Sequence, residues 1–530
     1  MRRALLAALL LAAPAFAPTG FAPTGFAPTG FAPTAFAAGR PADPNATLIY
    51  FDAVPNQTLD PREPQNNSSF AQGALMAIYD SLIRLDASGE PTPGLATAWE
   101  YNADLTEFTL TLRQGVTFHD GSKFDAAAVI LNFERAIAFG PRTGGAVTET
   151  MSQIAAIEGI GNDKVRIKLK APSGQMPYLL GGQAGMMIAP TSLADNAFGG
   201  ALKPVGAGPY KVRSFESNVQ TLTVRFDAYW DKKPNRPAAF EHHFAADARA
   251  RLNAVRSGQA NVALIEPRQI AEAKAAGFEV LVNEKNSTWQ IGVNTSHETM
   301  GKLKLRQAIM YATDRQALSD ALGFGASKPS VQFFASTSPW YQPELETLFP
   351  YDPAKARQLV KEAGYPNGVD INWLLLNTNE YKLMAEAMQS MLGEVGIRVK
   401  FDVVDVSQYT LFRRPSPGRG DVMMVRWGGR PDPLQTFQEA AGSNAVPWGA
   451  VVPEIDELIR QARGMVPSDP RRKDVVQRLA RVATEQVAYV MLMTRSNVYA
   501  FKPGCIVNLP PYLPTGNDRI NDTQVSTGCK

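Results

Sequence analysis

A single predicted loop near the C-terminal third of the chain carries the richest set of binding groups. The segment Arg426-Trp427-Gly428-Gly429-Arg430-Pro431-Asp432 brings together two guanidiniums, an indole and a carboxylate. The planar fork of Arg430 suits a carboxylate or a phosphate, so Arg430 is a candidate anion-binding residue. Asp432 precedes Pro433, and an acidic residue before proline is typical of a helix N-cap. The sequence therefore leaves two roles open for Asp432, ligand contact and helix capping.

Other candidate binding residues lie at the ends of predicted strands. Loops at the carboxyl ends of strands line the crevices of α/β proteins, which makes these positions the expected wall of a pocket. An indole can form such a wall, although burial in a strand is the commoner fate of tryptophan. The candidates outside the Arg426–Asp432 loop are Trp289, Gln290, Met186 and Asn377.

The histidines do not suggest a metal site. The chain has four, His119, His242, His243 and His297. His242 and His243 are adjacent in a predicted strand, where neighbouring side chains point to opposite faces and cannot chelate one ion. We therefore predict no metal ligands and no cofactor.

Sequence motifs of catalysis are also missing from their usual contexts. The chain has no nucleophile elbow, zinc-protease motif, phosphate-binding loop or dinucleotide fingerprint in the right setting. We therefore predict that the protein is not an enzyme, with a periplasmic hydrolase as the alternative.

Composition fits a globular protein large enough for more than one core. The chain has 530 residues, 45% hydrophobic and 19% charged, with 53 basic against 50 acidic side chains. This balance, without a basic stripe interleaved with aromatic residues, gives little support for nucleic-acid binding.

The N-terminal segment resembles an export signal. Arg2 and Arg3 precede an apolar run from Ala4 to Ala13 that is too short to span a bilayer. Tandem pentapeptides then continue to Ala35, and small residues suited to cleavage follow. We predict a signal peptide over residues 1–38 and a periplasmic location without a lipid anchor. In that oxidising compartment, Cys505 and Cys529 are predicted to form a disulfide.

Local patterns indicate the elements that would position these residues. Phe108, Leu110 and Leu112 alternate with threonines, which predicts a half-buried strand. Residues 126–137 have apolar residues at helical spacing. Asp352-Pro353 predicts a helix start and Gly364 its end.

The order of several motifs resembles one family over nearly the whole mature chain. The motifs are Pro93-Gly94-Leu95-Ala96 with Trp99, Gly115 to Gly121, Lys203-Pro204-Val205-Gly206-Ala207-Gly208-Pro209-Tyr210, Arg306-Gln307-Ala308, Tyr351-Asp352-Pro353, and Trp427-Gly428-Gly429 with Asp432-Pro433. Together they resemble the family 5 extracellular solute-binding proteins of ABC importers. Ala207 stands where threonine is usual.

The resemblance implies a two-lobe α/β periplasmic-binding-protein fold of the Venus flytrap kind, type II, with an extra subdomain. Lobe one would comprise residues 39–290, including the subdomain at about 76–203, and lobe two residues 291–494. Residues 495–530 would return to lobe one. The expected role is capture of a small solute between closing lobes and its delivery to an ABC permease, by a protein expected to be monomeric.

The family also implies a ligand class and an orientation. Dipeptides, oligopeptides and glutathione are the expected solutes, with opines or other amino-acid conjugates, oligosaccharides and metal chelates as alternatives. By the family's pattern, Asp432 would hold the ammonium of a zwitterionic ligand, and Arg430 or another arginine its carboxylate.

Overall fold

The computed structural model of the protein describes residues 40–63, 72–140, 145–194, 203–405, 408, 420–430, 432–443, 449–509 and 520–529. The predicted signal peptide with its pentapeptides, and Pro431 of the candidate loop, lie outside the described residues.

Strands account for much of the described chain. They are β1 Thr47–Asp52, β2 Ile83–Leu85, β3 Pro91–Pro93, β4 Ala96–Tyr101, β5 Glu107–Leu112, β6 Ile154–Ile160, β7 Lys164–Leu169, β8 Tyr210–Glu216, β9 Gln220–Arg225, β10 Ala239–Phe244, β11 Val262–Ile265, β12 Glu279–Val293, β13 Val369–Leu376, β14 Ile397–Val404, β15 Val422–Trp427, β16 Tyr489–Phe501, β17 Ile506–Asn508 and β18 Gln524–Val525.

Helices alternate with these strands along much of the sequence. They are α1 Gln72–Ile78, α2 Ala126–Phe139, α3 Gly145–Gln153, α4 Met176–Leu179, α5 Pro190–Ala194, α6 Ala248–Ser257, α7 Ile270–Ala275, α8 Glu298–Gly301, α9 Leu303–Ala312, α10 Arg315–Leu322, α11 Pro353–Glu362, α12 Asn379–Glu394, α13 Pro433–Ala440, α14 Pro453–Arg463 and α15 Pro470–Glu485. Short 3₁₀ turns occupy Gln183–Gly185, Pro267–Gln269, Pro343–Thr347 and Ile520–Asp522.

Ten strands form one mixed sheet in the order β14-β13-β15-β12-β16-β11-β1-β10-β9-β8. The long antiparallel strands β12 and β16 occupy its middle. Strand β12 pairs with β15 over Thr288–Val293, and β16 pairs with β11 over Val498–Phe501. The register between β12 and β16 shifts between Glu284 and Thr288. These two strands therefore join the two ends of the sheet, with an irregularity between their ends.

We name two parts of the molecule from this arrangement. The first half comprises β1 and β8–β11, the segments packed on them, and a separate four-stranded sheet in the order β4-β5-β7-β6. The second half comprises β13–β15 with helices α8–α15. Strands β12 and β16 are shared by both halves.

The small sheet of the first half has its own apolar core. Phe108, Leu110 and Leu112 of β5 are buried, as their alternation with threonines predicts, and they pack with Val165 and Ile167 of β7. Antiparallel pairing of β5 with both β4 and β7 fixes the register that directs these side chains inward. This core supports α3 and α4, which carry first-half residues of the candidate site.

The second half is built around a larger core between its strands and helices, in which Trp373 and Phe437 are fully buried. Local sequence signals set several of its helix boundaries. The Asp352 side chain accepts a hydrogen bond from Lys355 N at 2.8 Å, and Pro353 follows at the first turn of α11. Gly364, just beyond this helix, has φ of 95°, a left-handed conformation that glycine adopts without strain.

The two cysteines lie in the C-terminal segment of the first half. Cys505 and Cys529 are joined by a disulfide, with their Cα atoms 5.1 Å apart and a sequence separation of 24 residues. The bridge encloses part of a segment in which β18 pairs with β17 and Ser526 pairs with Ala42. The disulfide therefore constrains the tail close to the start of the described chain.

We expect reduction of this disulfide to destabilise the protein by about 3 kcal/mol, because the bridge removes loop-closure entropy from the unfolded chain. Thermal unfolding with and without a reductant, compared with a Cys505→Ser/Cys529→Ser variant, measures the effect. The unfolding temperature of the variant should not change when the reductant is added. Two reactive thiols in unreduced, denatured protein would contradict the bridge.

Candidate functional site

Polar side chains from both halves meet at one buried interface. The first half contributes Glu149 of α3 and the segment at the start of α4, and the second half contributes α13, α14 and Arg472 of α15. The backbone also takes part, because Gly174 N donates to Arg463 O at 2.7 Å. The polar residues of this interface are Glu149, Gln175, Tyr178, Arg430, Asp432, Gln435, Gln438, Glu439, Arg463 and Arg472.

Asp432 is fully buried and joins three helices. Its Oδ1 accepts from Leu434 N at 2.9 Å, which makes Asp432 the N-cap of α13, and from Arg472 Nη2 of α15 at 2.7 Å. Its Oδ2 accepts from Gln175 Nε2 of the first half at 2.8 Å. Asp432 therefore caps α13, and it also forms an ion pair with Arg472 in which both side chains are buried. Ligand contact by Asp432 stays a prediction.

Arg430 is held by a carboxylate from the next helix. Its Nε and Nη2 donate to the two oxygens of Glu439 at 2.7 and 2.5 Å, and its Nη1 donates to Gly428 O at 3.2 Å. The guanidinium lies 4.8 Å from the centre of the Trp427 ring. Both Arg430 and Glu439 keep 22% of their side-chain surface exposed, so this pair is accessible from the space beside it.

Glu149 reaches this pair from the first half. Gln435 Nε2 donates to Glu149 Oε2 at 2.9 Å. The side-chain amide of Gln438 finds partners for both its nitrogen and its oxygen when these two atoms exchange places. In that orientation the nitrogen donates to Glu149 Oε1 at 2.9 Å. Burial and then the negative charge of Glu439 raise the pKa of the Glu149 carboxyl to about 7. The surroundings of Glu149 in this interface therefore disfavour its ionised form.

The strand alternation of β12 and β15 separates other predicted site residues. Trp289 pairs with Arg426, whereas Gln290 and Trp427 lie on the opposite face of the sheet. Trp289 is buried against the edge of Tyr381, with ring centres 5.2 Å apart, and Arg426 lies over the same indole at 6.0 Å. Trp289 and Arg426 thus form one cluster, and Trp427, Arg430 and Asp432 belong to another.

Gln290, Met186 and Asn377 have other partners in the structure. Gln290 is fully buried next to Thr288, whose Oγ1 donates to Gln290 Oε1 at 3.4 Å. Met186 is buried in the first half, and its carbonyl accepts from Arg62 Nη2 at 2.9 Å. Asn377 is exposed after β13, and its backbone N donates to Val404 O at 2.9 Å. Their roles in binding stay predictions.

Sequence reasoning missed Glu149, Gln175 and Arg472, which complete the interface. No local motif marks them, because their partners lie far away in the chain. Gln175 and Asp432, for example, are separated by 257 positions.

Histidines and acids do not gather into a metal centre in the part of the chain that the structure describes. His242 and His243 of β10 point to opposite faces, where His242 pairs with Asp52 at 3.1 Å and His243 stacks on Phe51. Of the described helices, none has the length and apolar composition required to cross a bilayer.

Comparisons with known proteins identify the fold and the family. Residues 90–447 match the bacterial extracellular solute-binding proteins, family 5. The glutathione-binding protein GsiB of Salmonella paratyphi A is 30% identical over 361 residues, covering 66% of this chain and 68% of that protein.

Two solved structures show the same architecture. The periplasmic binding protein AgaA of A. tumefaciens R10, in complex with agropinic acid, superposes with a TM-score of 0.75 at 26% identity, over 91% of this chain and 99% of that one. The ABC transporter-associated periplasmic binding protein DppA of Helicobacter pylori, in complex with the peptide STSA, has a TM-score of 0.76 at 21% identity, over 91% and 98%.

The fold is therefore the two-lobe α/β fold of periplasmic binding proteins. The chain belongs to the family 5 extracellular solute-binding proteins. Its role is that of the substrate-binding component of an ABC importer, and the relatives that support this role are binding proteins.

Proposed function

We propose that the protein captures a small peptide-like solute, of the dipeptide, oligopeptide or glutathione type, in the periplasm and delivers it to an ABC permease. The observation that carries the proposal is the polar interface at Glu149, Arg430 and Glu439, where both halves contribute charged groups. A zwitterionic solute offers both signs of charge to such an interface. The similarity to the glutathione-binding protein GsiB supports the same class.

Closure is the proposed means of capture. A solute held between the halves makes its full set of contacts only when they meet, so binding shifts the population toward the closed form. Strands β12 and β16 connect the halves, and the irregular register between Glu284 and Thr288 supports a hinge there. We accordingly propose lobe one at residues 39–290, lobe two at 291–494, and a C-terminal segment, 495–530, that returns to lobe one.

An amino-acid conjugate is the second candidate solute. AgaA, which was solved with agropinic acid, is 26% identical to this chain over 91% of its length. Arg430 and the other interface arginines would suit the carboxylates of such a compound as well as those of a peptide.

The proposal is tested on protein exported with its own signal sequence. Mass spectrometry of the periplasmic protein, first native and then denatured, identifies any solute that co-purifies. Calorimetry on the solute-free protein then measures the affinities of glutathione, of dipeptides and of opine-type conjugates. We expect a dissociation constant in the micromolar range or below for a peptide-like compound. Retention of an oligosaccharide or a metal chelate, with no binding of peptides, would contradict this substrate class.

A further inference from the structure

Each half contributes one carboxylate to the same hydrogen-bonded interface. Glu149 belongs to α3 of the first half, and Glu439 belongs to α13 of the second. Arg430 gives both hydrogen bonds of its fork to Glu439, at 2.7 and 2.5 Å, and so neutralises that carboxylate. Among the described residues, the Glu149 carboxylate accepts hydrogen bonds from the uncharged carboxamides of Gln435 and Gln438 alone. Arg430 therefore forms its ion pair with Glu439 and not with Glu149.

The other charged groups around Glu149 already have partners. Asp432 pairs with Arg472 at 2.7 Å, and the two are buried together. Arg463 of α14 donates to Gln175 Oε1 at 3.1 Å and to the turned carboxamide of Gln438, so Gln438 stands between Arg463 and Glu149. The negative charge of Glu149 thus lacks a direct cationic partner among the described residues.

A second observation concerns Gln435, whose side-chain oxygen lacks a hydrogen-bond donor in the described part of the chain. Gln435 is fully buried and donates to Glu149 through Nε2, but its Oε1 has no hydrogen-bond partner among the described residues. A buried acceptor without a donor is costly. Burial and the charge of Glu439 also raise the pKa of Glu149 to about 7, and these two causes outweigh the opposing charge of Arg430.

We propose that Glu149, Glu439 and the carbonyl oxygen of Gln435 form a subsite for a cationic nitrogen of the solute, completed only when the two halves meet. An ammonium group has three N–H donors, which match three acceptors. This inference rests on the proposed function and adds the position of the cationic group, at Glu149 and Glu439 rather than at Asp432. It also implies that the charge of the solute itself stabilises the closed form.

The subsite is tested by measuring two ligands, with and without the ammonium group, on both the wild type and a variant. Glutathione and N-acetylglutathione differ in the ammonium group, and Glu149→Gln removes one carboxylate without changing its shape. We expect calorimetry at pH 8 to give a preference of the wild type for glutathione over its N-acetyl form of about tenfold or more. Glu149→Gln should lower this preference by about tenfold relative to the wild type. Any steric effect of the acetyl group is common to both proteins and cancels.

Glu134→Gln is the matched control, because Glu134 is an exposed carboxylate on α2 of the same half. It should keep the wild-type preference. An equal loss of affinity for both compounds in Glu149→Gln, with the preference intact, would overturn the subsite.

The competing explanation is that a proton, and not the solute, neutralises Glu149. Proton uptake can be detected by calorimetry. If Glu149 takes up a proton on closure, glutathione binding at pH 6 draws a proton from the buffer. The calorimetric enthalpy then changes between phosphate and Tris, and the change disappears in Glu149→Gln. We expect no such uptake, because the ammonium group supplies the charge; uptake without a preference for glutathione would overturn the proposal.

Failure of the proposed function gives a different result. If neither glutathione compound binds, the solute released from the periplasmic protein becomes the probe. A solute with a cationic nitrogen that is retained less by Glu149→Gln supports the subsite even if the solute is not a peptide. A solute without a cationic nitrogen overturns the subsite and leaves the importer role intact.

Discussion

Asp432→Ala is expected to lower the free energy of unfolding by about 3–5 kcal/mol, the usual cost of leaving one partner of a buried ion pair without the other. The variant removes the acceptor of Arg472, whose Nε and Nη1 have no other hydrogen-bond partner among the described residues. It also removes the N-cap of α13, for which about 1 kcal/mol is typical. Both partners, Leu434 and Arg472, belong to the second half, so the loss does not depend on closure.

Two further variants separate the contributions. Asp432→Asn keeps an oxygen that can cap α13 but removes the charge, so it isolates the ion pair. Arg472→Met in the Asp432→Ala background removes the unpaired guanidinium and should recover part of the lost stability. Denaturant unfolding of the solute-free protein measures all three. An Asp432→Ala variant as stable as the wild type would leave ligand contact as the remaining role for this carboxylate.

Elements with strong local signals could be predicted from the sequence. The alternation of Phe108, Leu110 and Leu112 sets which face of β5 is buried, and Asp352-Pro353 begins α11. The Lys203–Tyr210 motif also has a physical reason that only the structure gives. A Cβ on Gly206 would lie 2.1 Å from Ile78 O, and one on Gly208 would lie 2.6 Å from the same atom. These glycines permit a close approach of two backbone segments.

The candidate site was less predictable, for two physical reasons. First, nearness in sequence is not nearness in space: Arg426 and Trp427 are adjacent, but β15 extends through both and directs them to opposite faces. Second, the partners of Asp432 come from α4 and α15, and side-chain partners that belong to distant elements leave no periodic signal in the sequence. A loop rich in charged residues indicated the region, but not how its charges are paired.

A close backbone contact between the halves involves Gly174. Its N donates to Arg463 O at 2.7 Å, and an ideal Cβ at this position would lie 2.0 Å from Met465 O and 2.6 Å from Met465 C. Both of these atoms belong to the backbone of the second half and cannot move away by a side-chain rotation. A methyl group at residue 174 is therefore incompatible with the observed contact between the halves.

Gly174→Ala should accordingly weaken solute binding by about tenfold to a hundredfold, since overpacked contacts cost about 1–3 kcal/mol. The stability of the solute-free protein should stay the same or rise slightly, because alanine restricts the unfolded chain more than glycine does. Calorimetry with the co-purifying solute and thermal unfolding measure the two quantities. Gly393→Ala, where a Cβ meets nothing within 4 Å, is the control and should bind like the wild type. Wild-type affinity in Gly174→Ala would mean that solute capture does not require this approach of the two halves, whereas lost affinity with intact stability would tie binding to closure itself.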